Sequence, residues 1–316
     1  LKTPGFPILS CVGSKDASRS VEEPRVSWIS AEPIDCVAPT EAPPSPAWRA
    51  RLDLSFVRGR DRTIVRRRHL GPLLVQRPFY PEPDGTCHSY ILHPPGGVAA
   101  GDSLDLRVAL EPGARCLLTA PGATKFYRTP DGEGRQRFCF DVADGAVCEN
   151  LPMESILFDG ASVRTETEIR LSGNAVYMGW ELVSLGRPAA AERYASGRFA
   201  QRVSITRDGR PVWFERTAIE GGSPLLEAAH GLRGEPIFGV ALYAGALPPD
   251  AADMVRARIS PPVRGHGAVT RLDSMLVCRF AGSRVTDGRA FFVEAWDALR
   301  RLGLGKPAAA PRIWAT

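Results

Sequence analysis

From Trp48 onward the hydrophobic positions recur with a period of two. Leu52, Leu54 and Phe56 alternate with Arg51, Asp53 and Ser55, and Leu104, Leu106 and Val108 alternate with Asp105 and Arg107. This spacing puts one set of side chains on each face of an extended chain, so it predicts half-buried strands. Thr63-Ile64-Val65, Leu73-Leu74-Val75 and Arg137-Phe138-Cys139-Phe140 are short runs rich in strand formers. Arg202–Thr206 and Val212–Phe214 flank Asp208-Gly209, which predicts a hairpin with a tight turn.

Turn dipeptides precede alanine at Pro112-Gly113, Pro121-Gly122, Asp144-Gly145 and Asp159-Gly160. Their glycines are separated by 9, 23 and 15 residues, too unevenly for a strict repeat. They still suggest successive strand layers turned at similar corners. The fold expected is mainly β, an irregular β-helix-like or stacked-sheet body with about two helices. Asp250–Ile259 opens with acids and closes with arginines, as the helix dipole favours. A second helix carries Phe292, Ala295, Trp296, Leu299 and Leu302 on one face, and Gly303 and Gly305 are expected to stop it.

Residues 1–47 differ. They hold eight of the 28 prolines and show no sustained periodicity, so they are expected to form a poorly ordered leader ahead of a β-rich domain at 48–316.

The segment His93-Pro94-Pro95-Gly96-Gly97-Val98-Ala99-Ala100-Gly101-Asp102 is the most informative stretch of the chain. A phosphate-binding glycine loop leads into a helix, but strand periodicity follows this one. The loop is therefore expected to join strand to strand and to serve shape, a polar site at Asp102, or both. Other unusual segments accompany it in order: Gly71–Pro81, Cys87–Leu92, Pro121-Gly122-Ala123-Thr124-Lys125-Phe126-Tyr127-Arg128, Leu151–Ala161, Leu185-Gly186-Arg187-Pro188 and Pro311–Thr316. Together these motifs resemble the urease accessory proteins of the UreD/UreH family, with Ala100 in place of a usual glycine and Met153 in place of a usual glutamine. The resemblance implies a β-helix-like body and a non-catalytic scaffold that helps to load nickel. The partners it implies are apo-urease, the helical accessory protein UreF and, through it, the GTPase UreG. It also implies a polar passage through the body in which nickel is only in transit, with no tightly bound cofactor.

Composition narrows the alternatives. Hydrophobic residues make up 44% of the 316, enough for a large core, yet no apolar run approaches the ~20 residues of a membrane helix. No secretory signal is expected at the N-terminus. The balance of 40 basic and 35 acidic residues is too even for a nucleic-acid surface, and Arg66-Arg67-Arg68 reads as the solvated face of a hairpin. The seven cysteines are irregularly spaced with no Cys-x-x-Cys pair, which argues against disulfides and structural zinc and fits a reducing cytoplasm.

Candidate chemistry is sparse. Cys87, His88 and His93 invite a nickel site, but neighbours on a strand point to opposite faces, so Cys87 and His88 diverge. No Gly-x-Ser-x-Gly elbow occurs. Glu154 and Asp159 are the best paired acids for the alternative reading, a β-helical carbohydrate-active hydrolase. The motifs carry Asp102, Thr124 and Glu215 as candidate weak ligands of a nickel passage. Asp102 reads equally well as a turn-capping carboxylate. Glu215 shares the parity of Trp213, so it is expected to be partly buried, with Arg216 or Arg187 as a possible salt-bridge partner.

Overall fold

The computed structural model describes residues 47–315. The proposed leader therefore lies outside the described residues, apart from Ala47.

The hairpin β1 (Arg49–Arg58) and β2 (Thr63–Leu70) opens the body, followed by β3 (Leu74–Val75) and β4 (Cys87–Leu92). Three rising coils come next. The first holds β5 (Ser103–Leu110), β6 (Arg115–Thr119) and β7 (Thr124–Phe126). The second holds β8 (Gly134–Val142), β9 (Val147–Asn150) and β10 (Ser155–Leu157), and the third β11 (Ser162–Leu171) and β12 (Val176–Leu185). The hairpin β13 (Arg198–Arg207) and β14 (Arg210–Glu220) follows, then β15 (Ile237–Ala244), helix α1 (Ala251–Arg256), β16 (His266–Leu272), β17 (Met275–Gly282) and helix α2 (Val285–Leu304).

Successive coils stack in parallel, so the strands sort into two sheets. One runs β14-β13-β11-β8-β5-β1-β2 and the other β16-β17-β15-β12-β9-β6-β4-β3. The short strands β7 and β10 pair with each other, and β10 with the end of β12, to form a third side. This is the expected β-helix-like body. Its interior is built of in-register ladders, such as Leu54, Val108, Phe140, Ile169 and Ile205 along the first sheet. Cys87, Cys116, Cys148 and Tyr177 form a ladder on the second. All five described cysteines are buried and free, as small hydrophobes.

The uneven glycine spacing has a geometric cause. Gly145 stacks over Gly113 at one corner, with both residues at positive φ, whereas Gly160 turns a different corner beside Arg128. The four dipeptides thus mix corners, and each corner repeats once per coil. The hairpin turn at Asp208-Gly209 has φ of 50° and 75°, the left-handed pair of a two-residue turn.

Helix α1 is shorter than the sequence suggests, ending at Arg256 rather than Ile259. Its companion α2 lays Phe291, Phe292, Ala295, Trp296 and Leu299 on the outer face of the second sheet, against Met178, Trp180, Leu182 and Phe280. Gly303 does not stop α2. It lies inside the last turn, where an added Cβ would sit 1.9 Å from the Tyr243 hydroxyl, so packing explains the glycine. The stop is Gly305, left-handed at φ 66°, whose N–H reaches the Arg300 carbonyl.

Candidate functional site

The apolar filling of the body gives way along one line. On the first sheet, Leu104 is followed in register by Gln136, Thr165, Gln201 and Thr217. The neighbouring ladder runs Leu106, Phe138, Thr167, Val203 and Glu215. Facing them from the second sheet, Glu181 sits on β12 between Trp180 and Leu182, which turn outward onto α2. Period two therefore aims Glu181 into the interior. Its carboxylate accepts hydrogen bonds from Thr167 Oγ1 at 2.6 Å and from Gln201 Nε2.

Gln136, Thr165, Gln201 and Glu181 border a cavity of about 300 Å³ whose lining also includes His93, Thr124 and Asn150. It reaches the surface past the exposed Gly96, Pro121, Gly122 and Lys125, so the glycine-rich motif loops frame its opening. A second cavity of about 140 Å³ shares Glu181, Val183 and Gln201 with the first and continues to Glu215, Arg216 and Arg279. The two adjoin at Glu181, Val183 and Gln201 as lobes of one void, in which a few polar groups interrupt a mainly apolar lining.

Burial governs the charges inside. It raises the carboxyl pKa of Glu181, an effect that hydrogen bonds from Thr167 and Gln201 oppose and the nearby Glu215 reinforces. Burial also raises that of Glu215, partly countered by Arg279, which contributes Nη2 to Oε1 at 2.8 Å. Arg279, from β17, is thus the partner that sequence reasoning sought in Arg216 or Arg187. Arg187 instead pairs with Glu192 and lies over the Phe158 ring. The other oxygen of Glu215 and the Thr165 hydroxyl are buried without a protein partner among the described residues. Such atoms suit water or a weakly held ion.

The remaining sequence candidates are dispersed. Asp102 accepts the N–H of Trp48 through Oδ1 and of Ala99 through Oδ2, each at 2.8 Å, which is the turn-capping role. It stands close enough to His93 to counter the downward pull of burial on that imidazole. Thr124 lines the first lobe and Glu215 the second. Cys87 points inward beside Ser89, while His88 points outward, its Nε2 2.8 Å from Glu82. Cys87, His88 and His93 are not brought together, and no group of three potential metal ligands occurs among the described residues. Asp159 caps the chain at Ala195 and Ser196, and Glu154 lies near Arg289, so neither lines the void as a paired acid would.

Sequence reasoning missed Glu181, Gln136, Thr165 and Gln201. Signals existed: β12 is apolar on both faces, so Glu181 demands a partner, and Gln136, Thr165 and Gln201 share the parity of core residues on their strands.

The model of the UreD urease accessory protein family matches residues 48–315. The chain is similar to urease accessory protein UreD 2 of Brucella anthropi, 49% identical over 273 residues, covering 86% of this chain and 100% of that protein. It is also similar to urease accessory protein UreD of Azoarcus sp. (46% identical, 86% and 95% covered) and of Dechloromonas aromatica (40%, 86% and 96%).

Proposed function

From a chain that belongs to the UreD urease accessory protein family, and so serves urease maturation, we infer a non-catalytic scaffold that passes nickel to apo-urease through its own interior. In this reading it bridges apo-urease and the helical accessory protein UreF, which brings the GTPase UreG, and it works in the cytoplasm. Nickel is cargo, held by no tight site. No described helix is long and apolar enough to cross a membrane.

One observation carries the reading. A body filled with Leu, Val and Phe gives up one interior ladder to Gln136, Thr165 and Gln201, opposite Glu181. Burying polar groups costs stability, and the hydrogen bonds made here leave the Thr165 hydroxyl and one oxygen of Glu215 unanswered. A cation in transit needs what they offer: hydroxyl, amide and carboxylate oxygens that bind in succession and release. A dense cage of thiolates and imidazoles would trap the ion. Thr124 serves near the opening and Glu215 at the far lobe, with Glu181 between them. Asp102 shapes the opening by holding its loop.

Glu181→Gln tests this, because the amide keeps the size and loses the charge. The expected result is less nickel per urease active site after activation, with an unchanged melt and normal co-purification of apo-urease and UreF. Normal nickel loading with an intact complex would remove the interior from the mechanism.

A further inference from the structure

The two lobes differ in one respect that the passage does not explain. Inside its opening, where Lys125 stands exposed, the first lobe is lined by apolar and polar side chains and Glu181, whereas in the second a cation, Arg279, is paired with the interior carboxylate of Glu215. Arg279 reaches from β17 of the second sheet to Glu215 on β14 of the first, so this ion pair ties the two sheets together at the end of the coils. An arginine side chain stays protonated at any physiological pH. Its charge occupies the place where a metal ion leaving Glu181 would next meet a carboxylate, and like charges at such range repel strongly in a poorly solvated interior.

The attachment is also slight. Among the five N–H groups of a guanidinium, one nitrogen makes the contact with Glu215 Oε1, and the second carboxylate oxygen takes none. The rest of the group lies over the Trp213 ring, 5.6 Å from its centre, and the side chain keeps 29% of its surface exposed. A structural pair of this kind is usually a two-pronged fork. Here the side chain is partly exposed and a single hydrogen bond holds its guanidinium to Glu215, so it can leave without breaking the core.

We propose that Arg279 is the gate of the passage: its guanidinium holds the cation position beside Glu215 in the free protein and must swing out before a divalent metal ion can pass. The proposal rests on the reading of the void as a nickel passage. It predicts that the isolated chain holds little nickel although two buried carboxylates border the void. It also makes Glu215 a ligand in waiting, since the departure of Arg279 frees both of its oxygens.

The purified chain is titrated with nickel chloride and assayed by equilibrium dialysis and melting. Wild type and Arg279→Lys, which keep the charge, are expected to retain little nickel. Arg279→Gln should gain affinity by at least about tenfold, the size expected when one repelling charge is removed from beside a divalent ion. The gain should vanish in Arg279→Gln/Glu215→Gln. The gate is overturned if Arg279→Gln binds nickel no better than wild type, if the gain survives loss of Glu215, or if Arg279→Lys gains equally. Failure of Arg279→Gln to fold would show the guanidinium to be structural, which also overturns it. Urease nickel loading by Glu181→Gln separates the two ideas. Reduced loading there with unchanged affinity in Arg279→Gln leaves the passage standing and removes the gate, while normal loading there removes the passage itself.

Discussion

Replacing Arg300 with Met should destabilise the body more than any change on its surface. Arg300 has no exposed surface, and its Nη2 lies 2.6 Å from Glu82 and 3.2 Å from Glu149. Its Nη1 also donates to the Pro307 carbonyl at 2.9 Å. Met fills a similar length of apolar space but leaves Glu149 with the Trp296 indole N–H as its remaining hydrogen-bond donor. Glu82 keeps Lys306 at 2.7 Å and His88 at 2.8 Å, so the damage concentrates on Glu149. Removing one partner of a buried ion pair costs about 3–5 kcal/mol. At about 2–4 °C per kcal/mol for a domain somewhat smaller than this one, the melting midpoint should fall by roughly 6–20 °C at pH 7. The sign of the pH dependence follows from Glu149. Burial already raises its pKa with Arg300 present, and loss of the cation raises it further. A folded state that binds the proton more tightly than the unfolded one loses stability as pH rises through the interval between the two values. The deficit of the variant should therefore shrink at pH 5 and grow at pH 8. Adding Glu149→Gln should recover much of the loss, since the second charge no longer needs a partner. Thermal melts of the three proteins at those pH values decide it. A drop within a couple of degrees, or one that is flat with pH, would refute the assignment of a charged, mutually dependent cluster.

The opposite pH dependence is expected of Glu82, whose carboxyl falls from 4.5 to about 2 because hydrogen bonds from His88 and Lys306 and the charge of Arg300 outweigh its burial. Its contribution is present above the unfolded value and lost as pH falls from about 4.5 towards 2; acid-titrated melts of Glu82→Gln should be flatter there than wild type, and identical curves would contradict the pairing. Asp102→Ala removes the acceptor of two backbone N–H groups, at a cost of roughly 1–3 kcal/mol, and any loss of urease nickel should track the lower melt. Nickel loss at an unchanged melt would instead return Asp102 to the passage.

Which parts of the fold were legible follows from the range of the interactions involved. Alternation at Leu52, Leu54 and Phe56 depends only on neighbours along one strand, and β1 is such a strand with those three side chains buried. The turn at Asp208-Gly209 is equally local. Gly303 was misread because its reason is the hydroxyl of Tyr243, a residue sixty positions away in sequence on the sheet beneath the helix. The glycine corners illustrate the same point at larger scale. Gly113 and Gly145 are equivalent, but Gly122 between them belongs to another side of the coil, and nothing in the dipeptide itself tells the sides apart.

The proposed passage was legible only where a motif happened to supply it. Thr124 lies in a conspicuous segment, and Glu215 shares parity with a tryptophan, so both could be singled out in advance. Gln136, Thr165 and Gln201 share the parity of Phe140, Ile169 and Phe199, so alternation points them inward, yet in sequence they belong to three unrelated strands. They become one feature only because parallel stacking places Gln136 beside Thr165 and Thr165 beside Gln201, and that register is set by coil lengths that vary from turn to turn. Asp102 shows the converse. Its glycine-rich setting made it conspicuous, yet those glycines create the turn, and the turn consumes the carboxylate on two backbone N–H groups. In a coiled body of this kind, an acid on a corner is spent on geometry. An acid on a strand buried on both faces has no backbone donor left to take, because the neighbouring strands already use them. Its charge is then answered by side chains or by whatever enters the interior. Glu181 occupies that position, whereas Glu215 lies on the edge strand β14, exposed on its outer face, and is answered by Arg279.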